Sequence, residues 1–489
     1  MFHVSDLYQL APELTLVLLA LVVMVVDLFA KRRIIVATVA LVGLIVPAGF
    51  AIAQALTITG TSRVFFGMLV VDQYALFFDI IFLIIAAVMI LASYNYVGKY
   101  VRADGEFYAL MLFSVAGMMF MASTGELITI YIALELTSIP LYVMAGLIRT
   151  SERSAEAAVK YVLLGAMSSA ILLYGFALLY GLTGTTDLVG IATSFHQIAD
   201  GNLVVLIADI LIVAGFGFKI SAVPFHMWAP DIYEGAPTPA TAFFSVGSKA
   251  AGFAALIRVF MYGGLWQVDL MPLIIVVSIV AALTMTYGNL VAAVQTNVKR
   301  LMAYSSIAQA GYIIVGFVAS LASQKPDGNT AVLFFILVYV VTNLGAFSGM
   351  IALANLTGGE RVEDFRGLAR RAPLLSAGTA LCLLSLAGIP PVAGFWSKVF
   401  LFSAAWSLGQ GWLVLIALLN SVVSLVYYGK IVKAMYFDAP VKDDRLVTPF
   451  SLGTSITLAA AALIVLTFAA QFIIDAAVPA ATHLLAFIH

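Results

Sequence analysis

Cysteine is nearly absent from this chain of 489 residues: Cys382 is the only one. A single thiol builds no disulfide framework, no thiolate set for an iron–sulfur cluster and no structural zinc site. Histidine is sparse as well, and His3, His196, His226, His483 and His489 are scattered without the spacing of metal ligands. Charged residues make up only 10% and nearly cancel, leaving a net charge of −1, which gives no reason to expect a nucleic-acid or acidic partner. The sequence has no GxGxxG following a strand and no Walker loop. Any redox cofactor or nucleotide is therefore expected on another chain.

What is present in excess is apolar sequence: 63% of the residues are hydrophobic and the mean hydropathy is +1.09. Such a composition describes an integral membrane protein with almost no soluble part, because the polar gaps are too short to fold alone. Apolar windows of spanning length fall at 12–30, 34–56, 70–96, 107–123, 126–148, 156–183, 203–223, 240–262, 271–295, 300–321, 330–355, 374–407, 412–437 and 452–478. That predicts an all-α polytopic membrane protein with about fourteen transmembrane helices. The amino-terminal MFHVSDLYQLAPEL has no basic region and carries acids before the first apolar run, so that run is expected to be the first span rather than a signal peptide. Under this count eighteen of the twenty-four Lys and Arg residues lie at one side, while Arg63, Arg258 and Lys325 lie at the other. By the positive-inside rule the crowded side is cytoplasmic and both termini face outward.

Residues 213–239, VAGFGFKISAVPFHMWAPDIYEGAPTP, carry a lysine in an apolar run, Lys219, and then Pro224 and a polar aromatic loop. A lysine within hydrocarbon costs roughly 2.5–3.5 kcal/mol on insertion scales, so it marks an ion or proton path unless its long stem snorkels to water. Residues 392–398, VAGFWSK, match 213–219 at five of seven positions, end in Lys398 and follow Pro390 and Pro391. Paired, proline-interrupted segments in two halves of a membrane protein point to a transport site, and chance similarity between Gly- and Ala-rich segments is the competing explanation. Lys219 and Lys398 fall five spans apart, which predicts two inverted five-helix repeats, each with a broken helix. The corresponding limits are an N-terminal three-helix part over 1–105, a first repeat over 106–265, a second over 266–437 and a C-terminal helix over 438–489.

Two more charges sit deep in apolar windows. Glu135 has about ten residues of span on either side, too deep for a short carboxylate stem to reach water. Lys249 is surrounded by Gly247, Ser248, Ala250, Ala251 and Gly252, small residues that permit close helix approach. Either could be a structural group held by a polar partner. Left unpaired, the four deep groups would cost on the order of 10–14 kcal/mol together, so they must face one another or water. Glu135 and Lys219 are expected to pair, Lys249 and Lys398 to continue a row of titratable groups, and Asp79 to be a further partner. A buried ammonium whose carboxylate withdraws releases its proton, which would make the row a proton switch. Tyr304, Ser305, Ser306, Gln309 and Tyr312 on the tenth window fit a wet path, as do Thr342 and Asn343. His226, after the Pro224 break, could pass protons or serve as an interfacial anchor.

The segment SAVPFHMWAPDIYEGAPTPATAF, with a lysine five residues before its proline, resembles the signature of the antiporter-like membrane subunits of respiratory complex I, NADH:quinone oxidoreductase. Its YEG is closest to the subunit N branch of that family. NVKRLMAYSSIAQAGY at 297–312 and LSLAGIPPVAGFWSKVFLF at 384–402 are similar too, and the resemblance covers essentially all fourteen windows. It implies two inverted five-helix bundles around a hydrophilic axis that moves protons, driven by electron transfer from NADH to quinone on other subunits. By the same resemblance, Glu135, Lys219, Lys249 and Lys398 are the proton-transfer residues, and NADH, FMN, iron–sulfur clusters and quinone belong to those other subunits. The implied partners are a neighbouring antiporter-like subunit, small membrane subunits and the lipid bilayer, and the implied location is the bacterial inner membrane. A subunit of a monovalent cation/proton antiporter is the competing expectation.

Overall fold

The computed structural model describes residues 4–196, 198, 202–267, 270–323, 326–440 and 444–484; His3, Lys325, Lys442 and His489 lie outside them. Among the described residues thirteen helices are long and apolar enough to cross a membrane. The remaining predicted span, 374–407, is divided into Pro373–Ala387 and Ala393–Ser407, and the two halves complete the fourteen. Helices are what such a chain must form, since hydrocarbon offers backbone N–H and C=O groups no partner outside their own segment. Besides helices the described residues hold one small antiparallel hairpin, Ser62–Val64 paired with Leu69–Val71.

Two predicted windows turn out to be bent. The second divides into Arg33–Gly43 and Ile45–Thr57, because Pro47 has no N–H to offer the Gly43 carbonyl one turn back. The last, 452–478, ends its first helix at Phe468, and Ala469 leaves helical geometry (φ −102°, ψ 19°) before Ala470–His483. Nineteen residues already rise about 28 Å, enough to cross, so the apolar run outlasts the span.

The interior belongs to three helices. Every residue in the apolar window of Thr238–Tyr262 is buried, and 94% in those of Val298–Ser323 and Pro326–Thr357, against 33% in Ala11–Phe29. The outer helices pack around these three, which also carry Lys249, Arg258, Ser306, Gln309 and Asn343 among their buried polar side chains. At one end of the bundle the connections are tied by bridges from Leu69 to Thr124 and from Glu126 to Asp187, and by the ion pair of Arg63 with Asp187. Nearby, Arg258 is fully buried and holds the Asp72 carboxylate with both terminal nitrogens, the Ala122 carbonyl at 2.8 Å and the ring faces of Tyr74 and Tyr262. At the opposite end Asn297 bridges Arg361, Lys299 meets Glu360 at 2.9 Å, and Asp231 meets Lys160 at 2.7 Å and Arg300 at 2.9 Å.

Both expected broken helices are present. Leu203–Ile220 ends at Ser221, which turns left-handed (φ +60°), and helix resumes at Trp228–Gly235. Pro373–Ala387 ends at Gly388, also left-handed (φ +84°), and helix resumes at Ala393. Pro224 and Pro391 each stand three residues after that left-handed residue, behind cis peptide bonds. Counted from the turn, the two lysines are not equivalent: Lys219 lies two residues before Ser221, Lys398 ten after Gly388. The match of VAGFGFK with VAGFWSK is thus one of composition. Small residues suit close packing on either side of a break, so the same string occurs before one and after the other.

Candidate functional site

The helix Leu127–Ala145 places Glu135 about midway along its length and contains Pro140, which leaves the Leu136 carbonyl without its helical donor. One turn past Glu135, Ser138 is fully buried. Lys219, at the end of its half-helix and 3% exposed, donates from Nζ to Ser138 Oγ at 2.6 Å. Ser169, from the helix Glu152–Thr183, donates to Glu135 Oε1 at 2.5 Å. No ion pair joins Lys219 to Glu135 within 4.0 Å, so the direct pairing expected from sequence is replaced by an arrangement through serine hydroxyls. Glu135 remains near enough to act on the ammonium through space. Lys219, Ser138, Ser168 and Ser169 line one small cavity with Tyr142.

Lys249 is the first residue after a π-helical turn, Phe244–Ser248, a wider turn that recurs at functional sites. The turn packs tightly: a Cβ on Gly247 would lie 2.9 Å from the Met118 side chain. Lys249 Nζ donates to the Ser306 carbonyl at 2.5 Å. One turn on, Gly252 is so close to Lys219 that a Cβ there would lie 3.3 Å from Lys219 Cγ, so the two lysine-bearing helices touch at this level. The Ser306 hydroxyl meets the Tyr339 hydroxyl at 3.0 Å, and Tyr339 in turn donates to the Ser245 carbonyl at 2.8 Å.

Tyr339, Gln309, Thr342, Ser385 and Lys398 line a second small cavity. Lys398 Nζ donates to the carbonyls of Leu386 at 3.2 Å and Ala387 at 2.9 Å, two of the acceptors that a helix end leaves open, and to Ser421 Oγ at 2.9 Å. Ser305 meets the Tyr428 hydroxyl at 2.5 Å, and Gln309 reaches the Leu386 carbonyl at 3.1 Å. Glu135 and Lys219 thus share one serine-lined group, Lys219 and Lys249 stand on helices that touch, and Ser306, Tyr339 and Gln309 lie between Lys249 and Lys398, so that the four charges form a polar seam in the bundle.

Residues 124–424 match the family described as NADH:quinone oxidoreductase/Mrp antiporter, TM. The chain belongs to this family. It is 48% identical over 386 residues to NADH-quinone oxidoreductase subunit N of Desulfitobacterium hafniense, covering 76% of this chain and 77% of that one. A chain of respiratory complex I from Thermus thermophilus with bound aureothin superimposes with a TM-score of 0.79 at 31% identity, over 96% of this chain and 99% of that one. A chain of the Mrp complex from Dietzia sp. DQ12-45-1b shares the fold, with a TM-score of 0.86 at 21% identity over 98% of this chain and 97% of that one.

Not every residue singled out in this member of the NADH:quinone oxidoreductase/Mrp antiporter family joins the seam. Asp79 is buried, but the charges acting on it are Glu13, Asp72 and Arg258 rather than a lysine of the row. His226 sits in the first break with its ring 4.6 Å from that of Tyr287. Tyr304 lies between Tyr287, at 6.2 Å, and Arg300, beside the charged end of the bundle. There, burial alone would raise the Asp231 carboxyl, but hydrogen bonds from Lys160 and Arg300 hold it below the usual carboxylate range. Pro224, Pro390 and Pro391 act only through the breaks they make. Sequence reasoning missed Ser138, Ser169, Ser421 and Tyr339. Ser138 follows Glu135 by one helical turn and Ser169 stands in a run without charges, but nothing local tells which serine faces a charge. Among the described residues no group of three or more His, Cys, Asp or Glu is placed to hold a metal ion.

Proposed function

We propose that this chain is a proton-translocating membrane-arm subunit of an NADH:quinone oxidoreductase. The observation that carries this reading is the seam itself: three lysines at most 5% exposed, two of them on neutral acceptors alone, with polar side chains of Val298–Ser323 between Lys249 and Lys398. Protons can be held at Lys219, Lys249 and Lys398, and the hydroxyls of Ser138 and Ser421, which accept from Lys219 and Lys398, are placed to receive or relay them. Moving one proton against 100 mV requires about 2.3 kcal/mol, and nothing in this chain oxidises or hydrolyses a substrate. The drive is electron transfer from NADH to quinone, with FMN, iron–sulfur clusters and the quinone carried by other subunits.

Glu135 also speaks for partner subunits. It is only half-buried, and its neighbours on the same helical face, Ile128, Ile132 and Ile139, are 50%, 60% and 56% exposed. A carboxylate facing hydrocarbon at that depth would cost roughly 2.5–3.5 kcal/mol, so a neighbouring antiporter-like or small membrane subunit covers this face. The shared left-handed turn and proline support reading 106–265 and 266–437 as inverted repeats, with 1–105 and 438–489 flanking them. Further support comes from a threonine that caps a backbone N–H after each break, Val223 N–H to Thr284 Oγ1 at 2.9 Å and Ala393 N–H to Thr467 Oγ1 at 3.0 Å. The bacterial inner membrane, with both termini outside, is the corresponding placement.

The test is paired measurement of NADH-dependent quinone reduction and proton pumping in membranes carrying Lys219→Ala. Both should fall together in an assembled complex; unchanged values for both would make the buried lysine merely structural. The fold likeness to the Mrp complex favours one second reading, monovalent cation/proton antiport. Sodium-dependent proton exchange by the chain without electron transfer would establish that reading instead.

A further inference from the structure

Lys398 has no carboxylate partner among the described residues, and its only ring contact is with Tyr312. Its Nζ stands 4.9 Å from the Tyr312 ring centre, over the face, where the negative side of the ring quadrupole attracts an ammonium. The ring is itself fixed. Asn289, fully buried, donates from Nδ2 to the Tyr312 hydroxyl at 3.1 Å and to the Met285 carbonyl at 2.7 Å, and accepts from the Tyr427 hydroxyl at 3.0 Å. Tyr312 also packs edge-on against Phe402, at 5.9 Å, one turn beyond Lys398 on the same half-helix. Arg258 is held by ring faces too, but it also has the Asp72 carboxylate. At Lys398 the ring face takes that place.

We propose that Tyr312 is a positioning residue of the proton path, holding the charged form of Lys398 over its ring face. The carbonyls of Leu386 and Ala387 and the Ser421 hydroxyl accept from a neutral amine as well, two at a time, whereas the ring face is drawn chiefly to the positive charge of the ammonium. Tyr312 therefore adds to the preference for the charged form, and it does so from the helix Val298–Ser323, which also supplies the carbonyl that holds Lys249. A shift of that one helix would alter the surroundings of both lysines.

This inference rests on the proposed role of Lys398, so Lys398→Ala is measured beside it. In membranes holding the complete complex, NADH-driven proton pumping is compared for Tyr312→Phe, which keeps the ring face and loses the hydroxyl, and Tyr312→Leu, which loses the face. Phe should pump within about twofold of the parent, and Leu should fall about tenfold, towards Lys398→Ala, at equal complex content. Tyr312→Met, a flexible filler of the same space, is the second variant should Leu disturb assembly, and it should fall likewise. Parental pumping by an assembled Leu or Met variant overturns the proposal, and so does a Phe variant as defective as they are. Full pumping by Lys398→Ala would take down the role of Lys398 and this inference together. Loss there with parental Tyr312→Leu would remove only this inference.

Discussion

A lysine buried in hydrocarbon must be satisfied by charges or by dipoles, and the three lysines of the seam use different mixtures. Lys219 has a serine hydroxyl and a carboxylate acting from beyond it; Lys249 has a backbone carbonyl; Lys398 has two carbonyls, a hydroxyl and a ring. Removing Ser138 would leave a buried ammonium donor unmet, a loss of about 1–3 kcal/mol. Ser138→Ala should therefore cut pumping roughly tenfold with the complex still assembled, whereas Ser138→Thr, which keeps the hydroxyl, should recover most of it. The Arg258–Asp72 pair behaves differently because it serves structure rather than transfer. Arg258→Ala strands a fully buried carboxylate and should destabilise the chain by about 3–5 kcal/mol, while joint replacement of Arg258 and Asp72 by apolar residues should cost less than the single change. Thermal inactivation of the two variants side by side decides it. The charges themselves were legible in the sequence, since a lysine or glutamate within twenty apolar residues cannot pass unnoticed. Their partners were not, for Ser138 and Ser169 are ordinary helix serines until the fold brings Lys219 and Glu135 to them.

At the scale of the helix, prolines announced both breaks, because a missing N–H is a local fact, while the kink at residue 44 lay within a window read as one straight span. The π-helical turn before Lys249 had no such sign; FSVGS is compatible with an ordinary helix, and the extra residue is accommodated by what packs around it. The VAGFGFK and VAGFWSK strings misled in register for the complementary reason, that composition was shared while position relative to the break was not. Close helix approach is the other device operating here. A Cβ on Gly311 would come within 2.6 Å of the Met285 backbone nitrogen, and one on Gly288 within 2.6 Å of the Ala308 nitrogen, so Leu270–Val294 and Val298–Ser323 are in contact along their backbones. Gly311→Ala must push them apart, at a cost of about 1–3 kcal/mol, and it shifts Tyr312 with them. It should lower both the temperature of inactivation and the pumping rate. Gly429→Ala, with open space around the new methyl, should leave both unchanged, and equal stability of the two variants would refute the close-packing account.

Across the whole molecule, the charged ends of the helices sort into two groups that never mix. Connections 58–72, 123–126 and 184–187 are joined to one another by the hairpin, its bridges and the Arg63–Asp187 pair. Lys160, Asp231, Glu234, Arg300, Lys299 and Glu360 meet at the other end, and that is the end to which the sequence assigned most of its basic residues. The grouping was legible because helix count and charge placement constrain each other: an error of one span would have put Arg63 and Asp187 on opposite sides. If the basic end is cytoplasmic, cysteines placed at the two ends will react with a membrane-impermeant maleimide from opposite sides. Cys382 is buried and supplies little background, while Thr59 and Thr150 are both exposed. Thr59→Cys should label in intact cells, and Thr150→Cys only after the membrane is opened. The reverse pattern would invert the whole chain and reverse the direction in which Lys219, on the side of its break nearer Thr59 in chain order, exchanges protons with either compartment. Labelling of both in intact cells would mean that the two ends are not separated by a bilayer at all, and the seam of buried lysines would then have no membrane to work across.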